Sequence, residues 1–404
     1  MLRQEQIAEV IDSQIGDFLK TDDKLPREAL SRIPIAANFA TIITGVRRCG
    51  KSTLLLQLLD QKYKEAIYCN FEDIRFSAFE TSDFVRMHAE IVKRGIKVLF
   101  FDEIQLIKGW DMFIHQLLRE NYTIFITGSN ASLLSRELGT HLTGRHIPME
   151  LFPFSYTEFI RYKKMDVGEH SLKKYLNIGG IPEYVKTEMQ VILNAMIDDI
   201  LVRDIAVRQS VRDVQSLKQL ALYLISNIGT PVSANKLTGL FGIKAVSTIL
   251  EYFSYLSDAY LVEFVPQFSY SLKTQNRNPK KVYAIDTGIV TALSSSFTED
   301  SGRRLENLVY IHLRRKYKEI FSFNEKGECD FVVFEHLKIR YAIQVCFQID
   351  DMNFKREYDG LLQAMYSLNL DEGYIVTMNQ SDSFIQDSKQ ITMIPAYHFF
   401  EKDL

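Results

Sequence analysis

The chain has 404 residues, 46% of them apolar and 25% charged, with a formal net charge of −3. Such a composition belongs to a globular protein of about two to four compact units. It excludes a polycation, so any nucleic-acid contact must come from a local basic surface. No apolar run reaches the ~18–20 residues that cross a bilayer, and MLRQEQIAEVIDSQIGDFLK lacks the apolar stretch of a secretion signal. Cys49, Cys69, Cys329 and Cys346 show no C-x-x-C spacing. Together these features imply a cytoplasmic protein with no membrane partner.

In chain order, the opening segment reads as an amphipathic helix followed by a loop around Lys24-Leu25-Pro26. From about residue 33 to 150, short apolar runs alternate with helical stretches. The runs at 39–44, 66–70, 98–102, 122–128 and 146–150 predict strands. Their separation by amphipathic helices predicts a parallel sheet covered on both faces, and hence an α/β fold class.

Between the first strand and the next helix stands Gly45-Val46-Arg47-Arg48-Cys49-Gly50-Lys51-Ser52. This fits G-x-x-x-x-G-K-[ST] in its required context, apolar strand before and helix after. Glycines at 45 and 50 permit the turn that aims successive N–H groups at phosphate oxygens. The helix start adds its positive end. Lys51 then reaches the β- and γ-phosphates of ATP, and the Ser52 hydroxyl is a ligand of Mg2+. The nucleotide-contacting set is Gly45, Arg47, Arg48, Cys49, Gly50, Lys51, Ser52 and Thr53; Cys49 fills a variable loop position with no chemistry of its own.

The run Val98-Leu99-Phe100-Phe101 delivers Asp102 and Glu103 at a strand's C-terminal end, where open α/β sheets place their ligands. Asp102 holds magnesium through water, and Glu103 polarises the attacking water. A solvated acidic turn is the competing reading for this pair. The strand Ile124–Thr127 runs into Gly128-Ser129-Asn130. Ser129 or Asn130 could sense the γ-phosphate or cap a helix over 131–138. Arg136 and Arg145 follow; each is either a finger reaching a neighbouring copy's nucleotide or a surface ion-pair partner.

Residues 153–212 read as helices interrupted by Gly179-Gly180-Ile181-Pro182. From 213 to 288 come three helices, at 217–228, 233–241 and 244–256, and then strands at 260–265 and 281–285. From about 300 onward the pattern is helix, two strands around a turn, helix and strand.

GVRRCGKST, FFDEIQLIKGW, ITGSNASLLS, HLTGRHIPMELFPFSYTEF and GGIPEYV resemble, in order and spacing, bacterial and archaeal predicted ATPases of the AAA+ class. Those proteins pair an N-terminal AAA domain with an uncharacterised C-terminal region. The resemblance spans nearly the whole chain and is most specific over its first 185 residues. It implies a P-loop AAA+ core with an N-terminal helix at 1–152, a helical lid at 153–212, a winged-helix domain at 213–290 and a PD-(D/E)XK-like domain at 291–404.

Within those segments, the loop between the two wing strands carries Lys273, Arg277, Lys280 and Lys281. A basic wing can sit on DNA phosphates; winged helices also serve as joints to a protein client. The nuclease resemblance places Glu306, Asp330 and Gln344-Val345-Cys346 at the metal-binding positions. Cysteine at the lysine position cannot supply the lysine charge, so the terminal domain reads as degenerate. Lys355 and Arg356 are the nearby cations. The resulting reading is an ATPase whose nucleotide state repositions its C-terminal domains. The alternatives are a slow nucleotide-gated switch and an ATP-coupled nuclease.

Overall fold

The computed structural model describes residues 1–402 apart from 19–24, 64, 130–143, 294–299 and 326. It divides into two compact units, Met1–Leu151 and Phe152–Leu404.

In the first unit, the apolar runs become β1 (Ala40–Thr44), β2 (Ile67–Asn70), β3 (Val98–Asp102), β4 (Thr123–Gly128) and β5 (His146–Glu150). They pair in parallel in the order β2-β3-β4-β1-β5. The predicted and observed strands differ only at their first residues. Among the described residues, the sheet is accompanied by α1 (Gln4–Phe18), α2 (Lys51–Lys62), α3 (Asp83–Arg94) and α4 (Trp110–Arg119). β1 is buried along its whole length, as expected of a strand covered on both faces. One core layer is rich in aromatic contacts, with Phe71 stacked on Phe76 at 5.3 Å and Phe84 on Phe113 at 4.5 Å. The chain start is pinned by the fully buried Asp83 carboxylate, whose two oxygens accept from the Leu2 N–H at 3.1 Å.

The second unit opens with helices Tyr156–Lys163, Glu169–Ile178, Pro182–Thr187 and Gln190–Asp199. The first starts with a reciprocal capping box between Ser155 and Glu158. The last runs directly into a π-helix, Ile200–Val207, which the apolar pattern does not distinguish from an α-helix.

The Gly179-Gly180 break is a docking point. A Cβ on Gly180 would lie 2.3 Å from the Phe154 carbonyl oxygen, and one on Gly179 would lie 2.1 Å from Asp286 Oδ1. Gly180 N–H donates to Asp286 Oδ2 at 2.6 Å, and Gly288 N–H to Oδ1 at 2.9 Å. Burial pushes the Asp286 carboxyl up to about 6, against the opposing pull of these amides.

Helix Val214–Ser226, β6 (Pro231–Val232), helices Ala234–Leu237 and Val246–Asp258, β7 (Val262–Val265), helix Leu272–Arg277 and β8 (Lys280–Ala284) follow. The three strands form an antiparallel sheet in the order β6-β8-β7. The span between β7 and β8 was expected to be loop and contains a short helix. Its Ser271 cap accepts from the Thr274 N–H.

Helix Thr287–Leu293 and helix Ser301–Arg314 lead to the terminal sheet of β9 (Glu319–Asn324), β10 (Glu328–Glu335), β11 (Lys338–Val345), β12 (Glu372–Thr377), β13 (Asp382–Gln386) and β14 (Lys389–Pro395). Helix Phe354–Leu368 packs on it through Leu361, Ala364 and Met365. The order is β13-β14-β12-β11-β10-β9. Three strands precede that helix where two were expected, and an antiparallel hairpin β13–β14 closes the edge. β13 escapes sequence reading because DSFIQ is almost wholly exposed, leaving no alternation to read.

Candidate nucleotide-binding site

The loop from Gly45 to Gly50 leaves the C-terminal end of β1 and enters α2 at Lys51. Gly45, Arg48 and Gly50 have φ of 152°, 62° and 98°. Runs containing such residues turn successive N–H groups toward one concavity, an arrangement suited to an anion. Gly45 also meets a steric demand: a Cβ there would sit 2.1 Å from the Leu151 carbonyl oxygen, because Leu151 N–H donates to the Thr44 carbonyl at 2.7 Å. Lys51 is 6% exposed. Its ammonium donates to the carbonyls of Gly45 at 3.0 Å and Val46 at 3.1 Å. Ser52 is exposed and Thr53 half-buried at the start of α2.

The acidic pair lies on the same edge of the sheet. β4 pairs with both β1 and β3, with Thr44 level with Gly128 and Phe101 with Ile126. The next residue on β3, Asp102, therefore stands one step from the level of the P-loop start. Asp102 is fully buried, and hydroxyl groups hold both its oxygens. Tyr68 donates to Oδ2 at 2.8 Å, and Thr127 donates to Oδ1 in a short hydrogen bond. The Thr127 hydroxyl also accepts from Glu103 N–H at 3.1 Å. Glu103 adopts a left-handed φ of 55°, which costs a non-glycine residue about 1–2 kcal/mol. Such strain is stored at functional sites more often than elsewhere. Burial raises the Glu103 pKa and the Lys51 ammonium lowers it, with the net shift upward. The interaction with Lys51 places both groups in one electrostatic field.

The donor set suits magnesium nucleotide. A loop of backbone amides, one ammonium and one hydroxyl is the chemistry of polyphosphate recognition. One hydroxyl and one carboxylate suit an ion that keeps most of its waters. Among the described residues no group of three or more His, Cys, Asp or Glu side chains gathers as an all-protein metal cage.

The other site expectations fare differently. Arg47 is drawn to Glu72, with Nη2 3.7 Å from Oε1, and Arg48 is exposed. Cys49 is fully buried. Asn130, Arg136 and the expected helix at 131–138 lie outside the described residues. Arg145 is not brought to this site: it precedes β5, and its carbonyl accepts from Ala40 N–H at 3.1 Å at the start of β1. It therefore stands at the opposite edge of the sheet from its own P-loop, about 16 Å away along a five-residue strand.

Sequence reasoning missed Tyr68, Thr127 and Arg27. Arg27 is 5% exposed, and its Nη1 donates to the Cys49 carbonyl at 2.7 Å. Its backbone N–H donates to Gln57 Oε1 at 3.1 Å, and Gln57 Nε2 donates back to the Leu25 carbonyl at 2.7 Å. In a trans peptide the carbonyl and the following N–H point in opposite directions. Holding the Cys49 carbonyl therefore fixes the aim of the Gly50 N–H. Replacing Arg27 with Met is expected to weaken nucleotide binding about tenfold, the weight of one charge-assisted hydrogen bond, with the thermal melt of the chain little changed. Arg27→Lys should recover part of the loss. Unchanged nucleotide affinity in calorimetry, or an equal loss in Arg27→Lys, would remove Arg27 from this positioning role.

A family model described as "AAA domain" matches residues 37–160, and one described as "Domain of unknown function (DUF8612)" matches 169–300. The uncharacterized protein MJ1544 of Methanocaldococcus jannaschii is 33% identical over 399 residues, covering 91% of this chain and 88% of that one. An uncharacterized protein of Haemophilus influenzae is 32% identical over 347 residues, covering 80% of this chain and 86% of that one. Among solved structures, Cdc6p from Pyrobaculum aerophilum covers 76% of this chain and 94% of its own, at 13% identity and a TM-score of 0.27. That score is too low to carry an argument.

Proposed function

This chain belongs to the family of the uncharacterized M. jannaschii protein MJ1544 and carries an AAA domain over residues 37–160, and from that premise we propose that it is an ATPase of the AAA+ kind. It hydrolyses ATP with magnesium, and its nucleotide state drives or gates its C-terminal unit. The observation that carries this reading is the shared edge, where the P-loop and Lys51 stand in one field with Asp102 and Glu103. Backbone amides and Lys51 hold the phosphates, Ser52 and Asp102 hold the ion, and Glu103 takes a proton from the attacking water. The magnesium ion supplies charge neutralisation at the phosphates. Thr127 and Tyr68 keep the Asp102 carboxylate oriented. Arg145, exposed at the far edge, is assigned as a finger toward a neighbouring copy, which requires a homo-oligomer.

For the C-terminal unit, the order helix, strand, helix, helix, strand, short helix, strand with a β6-β8-β7 sheet supports a winged helix over 213–290. Three strands, a helix and a further strand after helix Ser301–Arg314 support a PD-(D/E)XK-like frame over 291–404. The span between β7 and β8 exposes Tyr270 (82%) and Leu272 (74%) beside Lys273 and Arg277. The cations suit DNA phosphates and the exposed aromatic suits stacking on a base, so DNA is the proposed partner of this face, ahead of a protein client. Among the described residues no helix is long and apolar enough to cross a membrane.

The test is phosphate release from MgATP by the full chain, with and without duplex DNA. Release that DNA stimulates supports an ATPase acting on DNA. Tight binding with slow, DNA-insensitive release supports the nucleotide-gated switch, and absence of nucleotide binding removes both readings.

A further inference from the structure

A second charged cluster lies in the Phe152–Leu404 unit, where β8, helix Ser301–Arg314 and β10 meet. The Lys281 ammonium stands 2.8 Å from Asp330 Oδ1 and 3.0 Å from Glu306 Oε1. The three side chains are 12%, 8% and 13% exposed, in the order Lys281, Asp330, Glu306. Tyr283 donates to Glu306 Oε1 at 2.6 Å, and the Val345 N–H donates to Asp330 Oδ2 at 2.9 Å. Sequence reading counted Lys281 among the basic wing residues. The structure corrects this, because Lys281 is turned inward onto Glu306 and Asp330, while Lys273 and Arg277 are exposed and Lys280 is half-buried.

The nuclease-like frame implies a divalent cation between Asp330 and Glu306, and the residues present do not fit one. Gln344, at the expected ligand position, is already engaged at both ends. Its Oε1 accepts from the Asp330 N–H at 3.2 Å, and its Nε2 donates to Glu357 Oε2. Burial pushes the Cys346 thiol up to about 11, so it is a neutral group. Arg356 is held by Glu357. The cation that the carboxylate pair does hold comes from outside the terminal sheet. Lys281 sits on the central strand of β6-β8-β7, level with Pro231 on one side and Val265 on the other. Its backbone is therefore fixed on both edges, and its ammonium is delivered to a set place.

We infer that Lys281 occupies the cation position of this carboxylate pair, turning a metal-site frame into a latch between β8 and the terminal sheet. The inference rests on the nuclease-like reading of residues 291–404. Electrostatics supports it. Burial opposes the Lys281 charge, yet Asp330 and Glu306 hold its pKa above the ordinary value. Burial and the nearby Asp330 raise the Glu306 pKa. A bare pair of buried carboxylates would repel; one ammonium between them removes the need for a metal. A divalent ion approaching the same oxygens would meet a fixed positive charge at about 3–5 Å, a repulsion strong enough in a shielded site to exclude it.

The test is Mn2+ binding followed by electron paramagnetic resonance on the full chain without nucleotide. Wild type and Asp330→Asn are expected to bind Mn2+ alike. Lys281→Met is expected to gain about one equivalent, at least about tenfold tighter than wild type, and to lose it again in Lys281→Met/Asp330→Asn. Weaker Mn2+ binding in Asp330→Asn than in wild type would overturn the inference and leave the nuclease-like reading standing. A folded Lys281→Met chain that takes up no Mn2+ would overturn both. Lys281→Met leaves two buried carboxylates unpaired. Should it fail to fold, the wild-type against Asp330→Asn comparison decides alone.

Discussion

Glu103→Gln is expected to bind MgATP as the wild-type chain does and to turn it over about 10²–10⁴-fold more slowly, the range of a lost general base. Glutamine keeps the shape of the side chain, so the Gln105 contact and the left-handed backbone at 103 have no reason to change. What it removes is a carboxylate that can accept a proton. The upward pKa shift of Glu103, from burial, sets a second outcome. The base works ionised, so turnover should fall as pH drops through a value above the 4.5 of an ordinary glutamate. The Gln variant should lose that limb. Single-turnover hydrolysis across pH measures both. Normal turnover by the variant would assign the proton transfer elsewhere.

Lys51→Ala is expected to abolish measurable ATP binding. The Lys51 ammonium is nearly buried and hydrogen-bonded to two loop carbonyls, so it is already desolvated and aimed along the loop. Charge-assisted hydrogen bonds contribute about 1.5–3 kcal/mol each. Losing the two it would make to the β- and γ-phosphates weakens binding roughly 10²–10⁴-fold. Calorimetry with MgATP reads this directly, beside a thermal melt that checks the fold. Heat equal to wild type in a folded variant would mean that another cation neutralises the phosphates.

The first unit was legible because its signals are local. Runs such as Val98–Phe101 are buried on both faces and end where a carboxylate emerges, and the P-loop compresses its chemistry into eight consecutive residues. What stayed hidden was delivered from elsewhere in the chain. Tyr68 and Thr127 sit inside apolar runs and read as core, yet their hydroxyls hold Asp102 from 34 and 25 residues away. Arg27 belongs to a segment with no motif. Lys281 stands in a Lys-Lys doublet that reads as surface, while its partners lie 25 and 49 residues downstream. Arg145 reads from the sequence as a finger toward a neighbouring copy or a surface ion-pair partner; sequence order could not show that β5 starts at the end of the strands away from its own P-loop. The π-helix at Ile200–Val207 escaped because its apolar spacing suits any helix.

The Asp286 carboxylate has a consequence for how the C-terminal half can be cut. It accepts from Gly180 across 106 residues of chain, and a methyl group on Gly288 would press within 2.1 Å of the Ile178 carbonyl. The helices just after residue 152 and the turn before helix Thr287–Leu293 are thus joined by the Asp286 side chain and by close backbone approach. A fragment that stops near residue 212 would strip the Gly180 amide of its acceptor and expose the floor on which those helices rest. Such a truncation is expected to be cut faster in limited proteolysis than 152–402 kept whole, which retains both halves of the seam.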